Sequence, residues 1–250
     1  MSDHEPRTTL IDSYGRGHRD MRVSLTDRCS LRCTYCMPAD FAEWIPSAEL
    51  LTTDELMLVL EIAVDEGIDE VRLTGGEPLL RPDAVDVVRR ITSLPKPPKV
   101  SLTTNGLRLG ALAGPLRDAG LQRVNVSLDT LDRERFKKLT FRDRLDDVLA
   151  GLAAARTAGL QPVKVNSVLM RGVNEDEAVP LLERALQEDW RLRFIEQMPL
   201  DAGGLWDRTS MITAEEILDR LSTRFDLTPV EQRGSAPAEE FYVKIGRAHV

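Results

Sequence analysis

Only three cysteines occur in 250 residues, and all lie in one short stretch, Cys29-Ser-Leu-Arg-Cys33-Thr-Tyr-Cys36. Thiolates separated by three and then two residues can turn to one side of a loop and hold one small inorganic object. They are one short of the ligand set of structural zinc, whereas a four-iron cubane held by three thiolates keeps one iron open for an exchangeable ligand. The zinc alternative would need His18, which lies too far upstream of Cys29 for any usual Cys/His spacing, and His4 and His249 lie at the chain ends. Three buried structural cysteines are another alternative, since free Cys is among the most buried residue types. Here they fall between a polar Asp27-Arg28 pair and a Met37-Pro38 break, which is loop chemistry. A disulfide framework needs an even count and an oxidising compartment.

Other residues stand where their types are not the default. Gly75-Gly76-Glu77-Pro78 follows a short expected strand. It reads either as a tight strand exit or as a place where glycines permit close backbone approach and a carboxylate with exposed carbonyls faces an ammonium group. Arg22, Arg72 and Lys164 each lie within an expected strand where an apolar residue would be usual. Any one alone reads as a solvated edge position; three together suit a buried anion, because a buried cation is costly unless it meets one. Asn125, Ser127 and Asp129 alternate along another strand, where they either face a site or cap a strand end. There is no Walker-type phosphate loop.

Cys-x3-Cys-x2-Cys with Tyr35 before its last cysteine resembles the signature of radical S-adenosylmethionine (radical SAM) enzymes. The wider strings are similar to the GTP 3',8-cyclase family of molybdenum cofactor biosynthesis: Met21-Arg-Val-Ser-Leu-Thr-Asp-Arg-Cys29, Tyr35-Cys-Met-Pro38, Thr74-Gly-Gly-Glu-Pro78, Leu102-Thr-Thr-Asn-Gly106, Asn125-Val-Ser-Leu-Asp129, Val163-Lys-Val-Asn166 and Arg193-Phe-Ile-Glu196. The resemblance covers about residues 10–240. It implies an incomplete (β/α)6 barrel, a [4Fe-4S] cluster on Cys29, Cys33 and Cys36, and S-adenosyl-L-methionine held by Tyr35, Gly76, Ser127 and Met198. It implies GTP held by Arg22, Arg72, Thr103 and Lys164. The implied reaction is that of a lyase, forming (8S)-3',8-cyclo-7,8-dihydroguanosine 5'-triphosphate through a 5'-deoxyadenosyl radical. The implied partners are a flavodoxin- or ferredoxin-type electron donor and the next-step cyclic pyranopterin monophosphate synthase, with a homodimer as one assembly. Two rival readings stand beside it: a peptide-maturing radical SAM enzyme, and a non-catalytic metal-binding fragment.

Members of that family run on further and carry a second [4Fe-4S] cluster on three more cysteines, which this chain lacks. Residues 244–250 read as a translated library adapter. The chain is therefore expected to be truncated, with a polar arm over 1–20, a barrel over 21–225 and the start of a C-terminal region over 226–250.

Strands are expected at Met21–Thr26, Val71–Thr74, Lys99–Thr103, Arg123–Leu128, Pro162–Leu169 and Leu192–Glu196. Helices are expected from Thr52 or Thr53 to Gly67, and over Asp83–Ile91, Leu112–Ala119, Leu145–Ala158 and Glu175–Glu188. Strands alternating with helices imply one parallel sheet. Cys29, Gly76, Thr103, Ser127, Lys164 and Met198 are expected to follow or close strands and so share one C-terminal rim. A hydrophobic share of 42% suffices for one core. The net charge of −8 argues against general nucleic-acid binding. No apolar run is long enough to span a bilayer and no signal peptide is evident, so a cytoplasmic location is expected, where thiolates stay reduced.

Overall fold

The computed structural model describes residues 10–38, 40–41, 43–199, 206–230 and 238–244. What was expected of residues 1–9 and 245–250 lies outside them.

Six parallel strands form one sheet in the order β1-β2-β3-β4-β5-β6. They are β1 (Asp20–Ser24), β2 (Glu70–Thr74), β3 (Lys99–Thr104), β4 (Arg123–Ser127), β5 (Val163–Val168) and β6 (Arg191–Ile195). Strand order equals chain order because each crossover returns its strand beside the last, as a run of right-handed βαβ units requires. β1 and β6 do not pair, so the barrel is incomplete.

The crossover helices are α1 (Thr53–Asp65), α2 (Ala84–Thr92), α3 (Leu109–Asp118), α4 (Arg133–Thr140), α5 (Leu145–Thr157) and α6 (Ala178–Glu188). The Thr52 hydroxyl caps α1 by accepting from the Glu55 N–H, and Glu55 accepts in turn from the Thr52 N–H. Such a cap is worth about 1 kcal/mol. α3 begins three residues earlier than expected; Pro115 lies inside it, so the pattern read from Leu112 onward saw only its later turns. β2 shows what organises the sheet: Val71 and Leu73 are fully buried against the helices, while Glu70, Arg72 and Thr74 are half-buried on the other face. Parallel sheets covered on both faces read as continuous apolar runs. Alternation here marks an inner face left polar.

Beyond the barrel lie α7 (Ala214–Ser222) and the antiparallel pair β7 (Asp226–Pro229) and β8 (Phe241–Lys244). Leu227 and Val243 of that pair pack on a small second core of Leu169, Leu181, Ile212, Ile217, Leu221 and Phe225. Residues 10–18 close a tight hairpin by an Ile11–Gly17 bridge and do not run extended. Among the described residues no helix is long and apolar enough to cross a membrane.

Candidate active site

The cysteine loop leaves β1 and is tied down on three sides. On one side the exit of β2 is zipped to it: the Gly76 N–H donates to the Thr26 carbonyl (2.7 Å) and the Glu77 N–H to the Arg28 carbonyl (2.7 Å). This needs glycine. A Cβ on Gly76 would lie 2.2 Å from the Asp27 carbonyl oxygen and 2.4 Å from that of Arg28; Gly75 adopts φ +146° and is equally crowded by Thr26. On the second side the C-terminus of α4, whose last carbonyls lack partners within the helix, accepts from the loop: Arg32 N–H to the Thr140 carbonyl (3.0 Å) and Thr34 N–H to that of Leu139 (2.9 Å). On the third side the Tyr35 hydroxyl donates to Asp129 Oδ2 (2.7 Å), and the Val168 N–H fixes the other carboxylate oxygen (2.9 Å).

Glu77 corrects one expectation. Its carboxylate does not face outward for an ammonium group: it is buried and accepts from the Thr104 hydroxyl (2.7 Å), the Asn105 N–H (2.7 Å) and the Leu79 N–H (3.0 Å). It joins the exits of β2 and β3.

Cys29 and Cys33 are half-buried and Cys36 is exposed. Desolvation is the largest influence on each and pushes all three thiols up, Cys33 well above the ordinary thiol value, with further rises from Asp129 and the neighbouring thiols. Such a site favours protonated sulfur until positive charge arrives, and binding iron supplies it. Among the described residues no three His, Cys, Asp or Glu side chains close on a single ion.

Below the loop the inner face carries cations in register. Arg22 pairs with Arg72 across β1 and β2, Asn125 with Lys164 across β4 and β5, and Asn166 with Arg193 across β5 and β6. Burial lowers the pKa of Arg72 first, and Arg22, Arg123 and Arg193 lower it further; burial and then Arg193, Arg123 and Arg191 do the same to Lys164. Arg123 is answered by Glu70 at 2.9 Å. Among the described residues Arg22, Arg72, Lys164 and Arg193 form no ion pair, and Arg72 Nε and Asn166 Oδ1 are buried with no partner. Like charges gathered on one face leave it electropositive, with Asp20 acting on Arg72 and Glu240 on Lys164 as partial counterweights.

Lys164 corrects a second expectation: it is the second residue of β5 and Arg72 is mid-strand, so these two half-buried cations lie below the rim, while Arg22, mid-strand in β1, is exposed. Gly76 and Ser127 do stand at strand exits, Thr103 is the penultimate residue of β3 and accepts from Asn125 Nδ2 (3.3 Å), and Met198 lies three residues past β6, half exposed. Sequence reasoning gave no role to Asn105, Asn166, Arg193 or α4. For Asn166 and Arg193 a signal existed, since both share the strand parity of Lys164.

The buried Asp129 carboxyl is pushed up from 3.8 to about 6, burial outweighing its two hydrogen bonds. A raised folded-state pKa contributes stability that is present below the unfolded value and is lost as pH rises through about 6, a difference of about 3 kcal/mol. Asp129→Asn keeps an acceptor for Val168 and drops the charge. In the metal-free chain, urea unfolding at about pH 4 and about pH 7 is expected to differ by roughly 2–3 kcal/mol more in the parent than in this variant; equal pH dependence would refute the assignment.

The sequence profile of the Radical SAM superfamily matches residues 23–185. A GTP 3',8-cyclase of Streptomyces coelicolor is 58% identical over 98% of this chain and 73% of its own length. That of Mycolicibacterium smegmatis is 53% identical over 96% of this chain and 67% of its own length, and that of Corynebacterium glutamicum strain R 52% over 92% and 62%. Among solved structures, Streptococcus suis SuiB bound to S-adenosylmethionine superposes with a TM-score of 0.63 at 18% identity, over 82% of this chain and 48% of that one. TYW1 with a lysine-pyruvate adduct superposes with a TM-score of 0.61 at 15% identity, over 84% and 76%. The structural likenesses speak to the fold.

Proposed function

The chain belongs to the radical SAM superfamily and, within it, to the GTP 3',8-cyclase family, and we propose that it forms the barrel of that enzyme, which carries out the first step of molybdenum cofactor biosynthesis. The observation that carries the substrate half of the reading is the gathering of Arg22, Arg72, Lys164 and Arg193, none of them in an ion pair among the described residues, on one face of a sheet whose β1 exit carries three thiols. A [4Fe-4S] cluster on Cys29, Cys33 and Cys36, with S-adenosylmethionine, supplies a reductively generated organic radical for hydrogen abstraction.

The chain's own residues hold and shield. Gly76 and its neighbours offer backbone at close range to the methionyl group of S-adenosylmethionine, Ser127 a hydroxyl, and Tyr35 and Met198 apolar contact. Tyr35 does so through its ring and backbone, because its hydroxyl is spent on Asp129. The interior cations take the triphosphate with Thr103, which sets the ribose toward the rim. The chain spans 62–73% of the length of the three cyclases compared above, and in our reading the remainder carries the second cluster that places guanine. The electron donor is of flavodoxin or ferredoxin type, the product passes to a cyclic pyranopterin monophosphate synthase, and the enzyme works in the cytoplasm, as a homodimer where it assembles.

Calorimetric titration tests the anion site. Arg72→Ala, Lys164→Ala and Arg193→Ala are each expected to weaken GTP and inorganic triphosphate alike by about ten- to a hundredfold, the usual cost of one charge-assisted contact of roughly 1.5–3 kcal/mol, with iron content unchanged. Parent-like titrations in all three variants would refute the site. A peptide substrate in place of GTP would favour the peptide-maturing alternative.

A further inference from the structure

Asn105 follows β3, well separated in the chain from the cysteines, yet its side chain reaches them. The residue is 8% exposed. Its Oδ1 accepts from the Leu107 N–H (3.1 Å), which fixes the amide's orientation, because the reverse placement would set NH2 against N–H. Nδ2 is thereby aimed at the loop, 3.0 Å from Ser30 Oγ and 3.8 Å from Cys29 Sγ, the latter a long contact but within reach of a donor to sulfur. The backbone is held as well: the Asn105 N–H donates to the buried Glu77. The Leu31 N–H also donates to Cys29.

A hydrogen bond to a cluster thiolate withdraws electron density from sulfur and favours the more negative, reduced cluster, so it raises the reduction potential. We infer that the Asn105 amide is a positioning and tuning residue of the reaction: it donates to the Cys29 thiolate and makes the cluster easier to reduce. This rests on the cluster assigned above, and two outcomes separate the readings: no iron or labile sulfide after reconstitution defeats the cluster itself, whereas a loaded cluster indifferent to Asn105 defeats only this inference.

Potentiometric titration followed by electron paramagnetic resonance is the test. Asn105→Ala with full iron content is expected to lower the midpoint potential by about 59 mV, a tenfold change in the reduced-to-oxidised ratio at fixed potential. Ser30→Ala, which leaves Cys29 as the acceptor for Nδ2, is expected to leave it unchanged or raise it. An unchanged potential in Asn105→Ala, or an equal fall in Ser30→Ala, would overturn the inference, the latter because loop position would then be the cause. Should Asn105→Ala fail to hold a cluster, the parent decides: asparagine side chains labelled with 15N are expected to give a hyperfine coupling to the reduced cluster, and its absence would overturn the assignment.

Discussion

Anaerobic reconstitution of this chain is expected to give a brown protein with about four irons and four sulfides, and Cys33→Ala is expected to give neither colour nor cleavage of S-adenosylmethionine. The loop has no substitute cysteine, for the sequence holds no fourth, and Asp129, whose charge acts on Cys33, is occupied by Tyr35 and Val168. Eight irons would need more anchors than three thiols provide. One equivalent of zinc with no labile sulfide would sink the reading at its base. Cys29→Ala and Cys36→Ala should behave alike, which separates a cluster from a single ion that tolerates losing one ligand.

The second large effect belongs to a residue with no side chain. Gly76→Ala would place a methyl group 2.2 Å from one backbone oxygen and 2.4 Å from another, and neither is the end of a flexible side chain that could swing away. The β2 exit must then separate from the cysteine loop and lose the Gly76–Thr26 and Glu77–Arg28 hydrogen bonds, at a cost of about 3 kcal/mol or more. For a chain of this size that lowers Tm by roughly 6–12 °C. Cluster loading should fall with it, because the same contact sets where Cys29 begins. Gly110→Ala, in α3 with nothing within 4 Å of the added methyl, is the control and should be neutral or slightly stabilising. Equal melting of the two variants would show that the loop adapts.

Much of the barrel is written in periodicity. The six strands fall within about two residues of their expected bounds, because β-branched pairs such as Val163 and Val165 alternate with polar residues, and α1 shows its cap, apolar stripe and closing Gly67. α4 was missed because it is almost wholly polar: only Phe136, Leu139 and Thr140 are buried, and its start rests on Asp132 accepting from the Arg135 N–H. α7 left a legible mark, the Thr213–Glu216 capping box. β7 and β8 are four residues each and largely exposed, too short for a period to show. Within the candidate site, residue type in an odd place is what singles out Arg22, Arg72 and Lys164. Asn105 could not be found so, since an Asn-Gly pair after a strand is ordinary turn chemistry and its partner sulfur lies 76 residues away.

The separation in sequence between the cysteine loop and its anchors orders events during synthesis. Cys29 emerges from the ribosome at the beginning, but the groups that lock its loop come later: Gly76, then Asn105, then Asp129, then the Thr140 carbonyl. At a translation rate of roughly 5–20 residues per second, about 5–20 s pass between Cys29 and Asp129. Throughout that interval the thiols lack the contacts that hold their loop in the finished barrel, so the site that binds a cluster is complete only once α4 has been made.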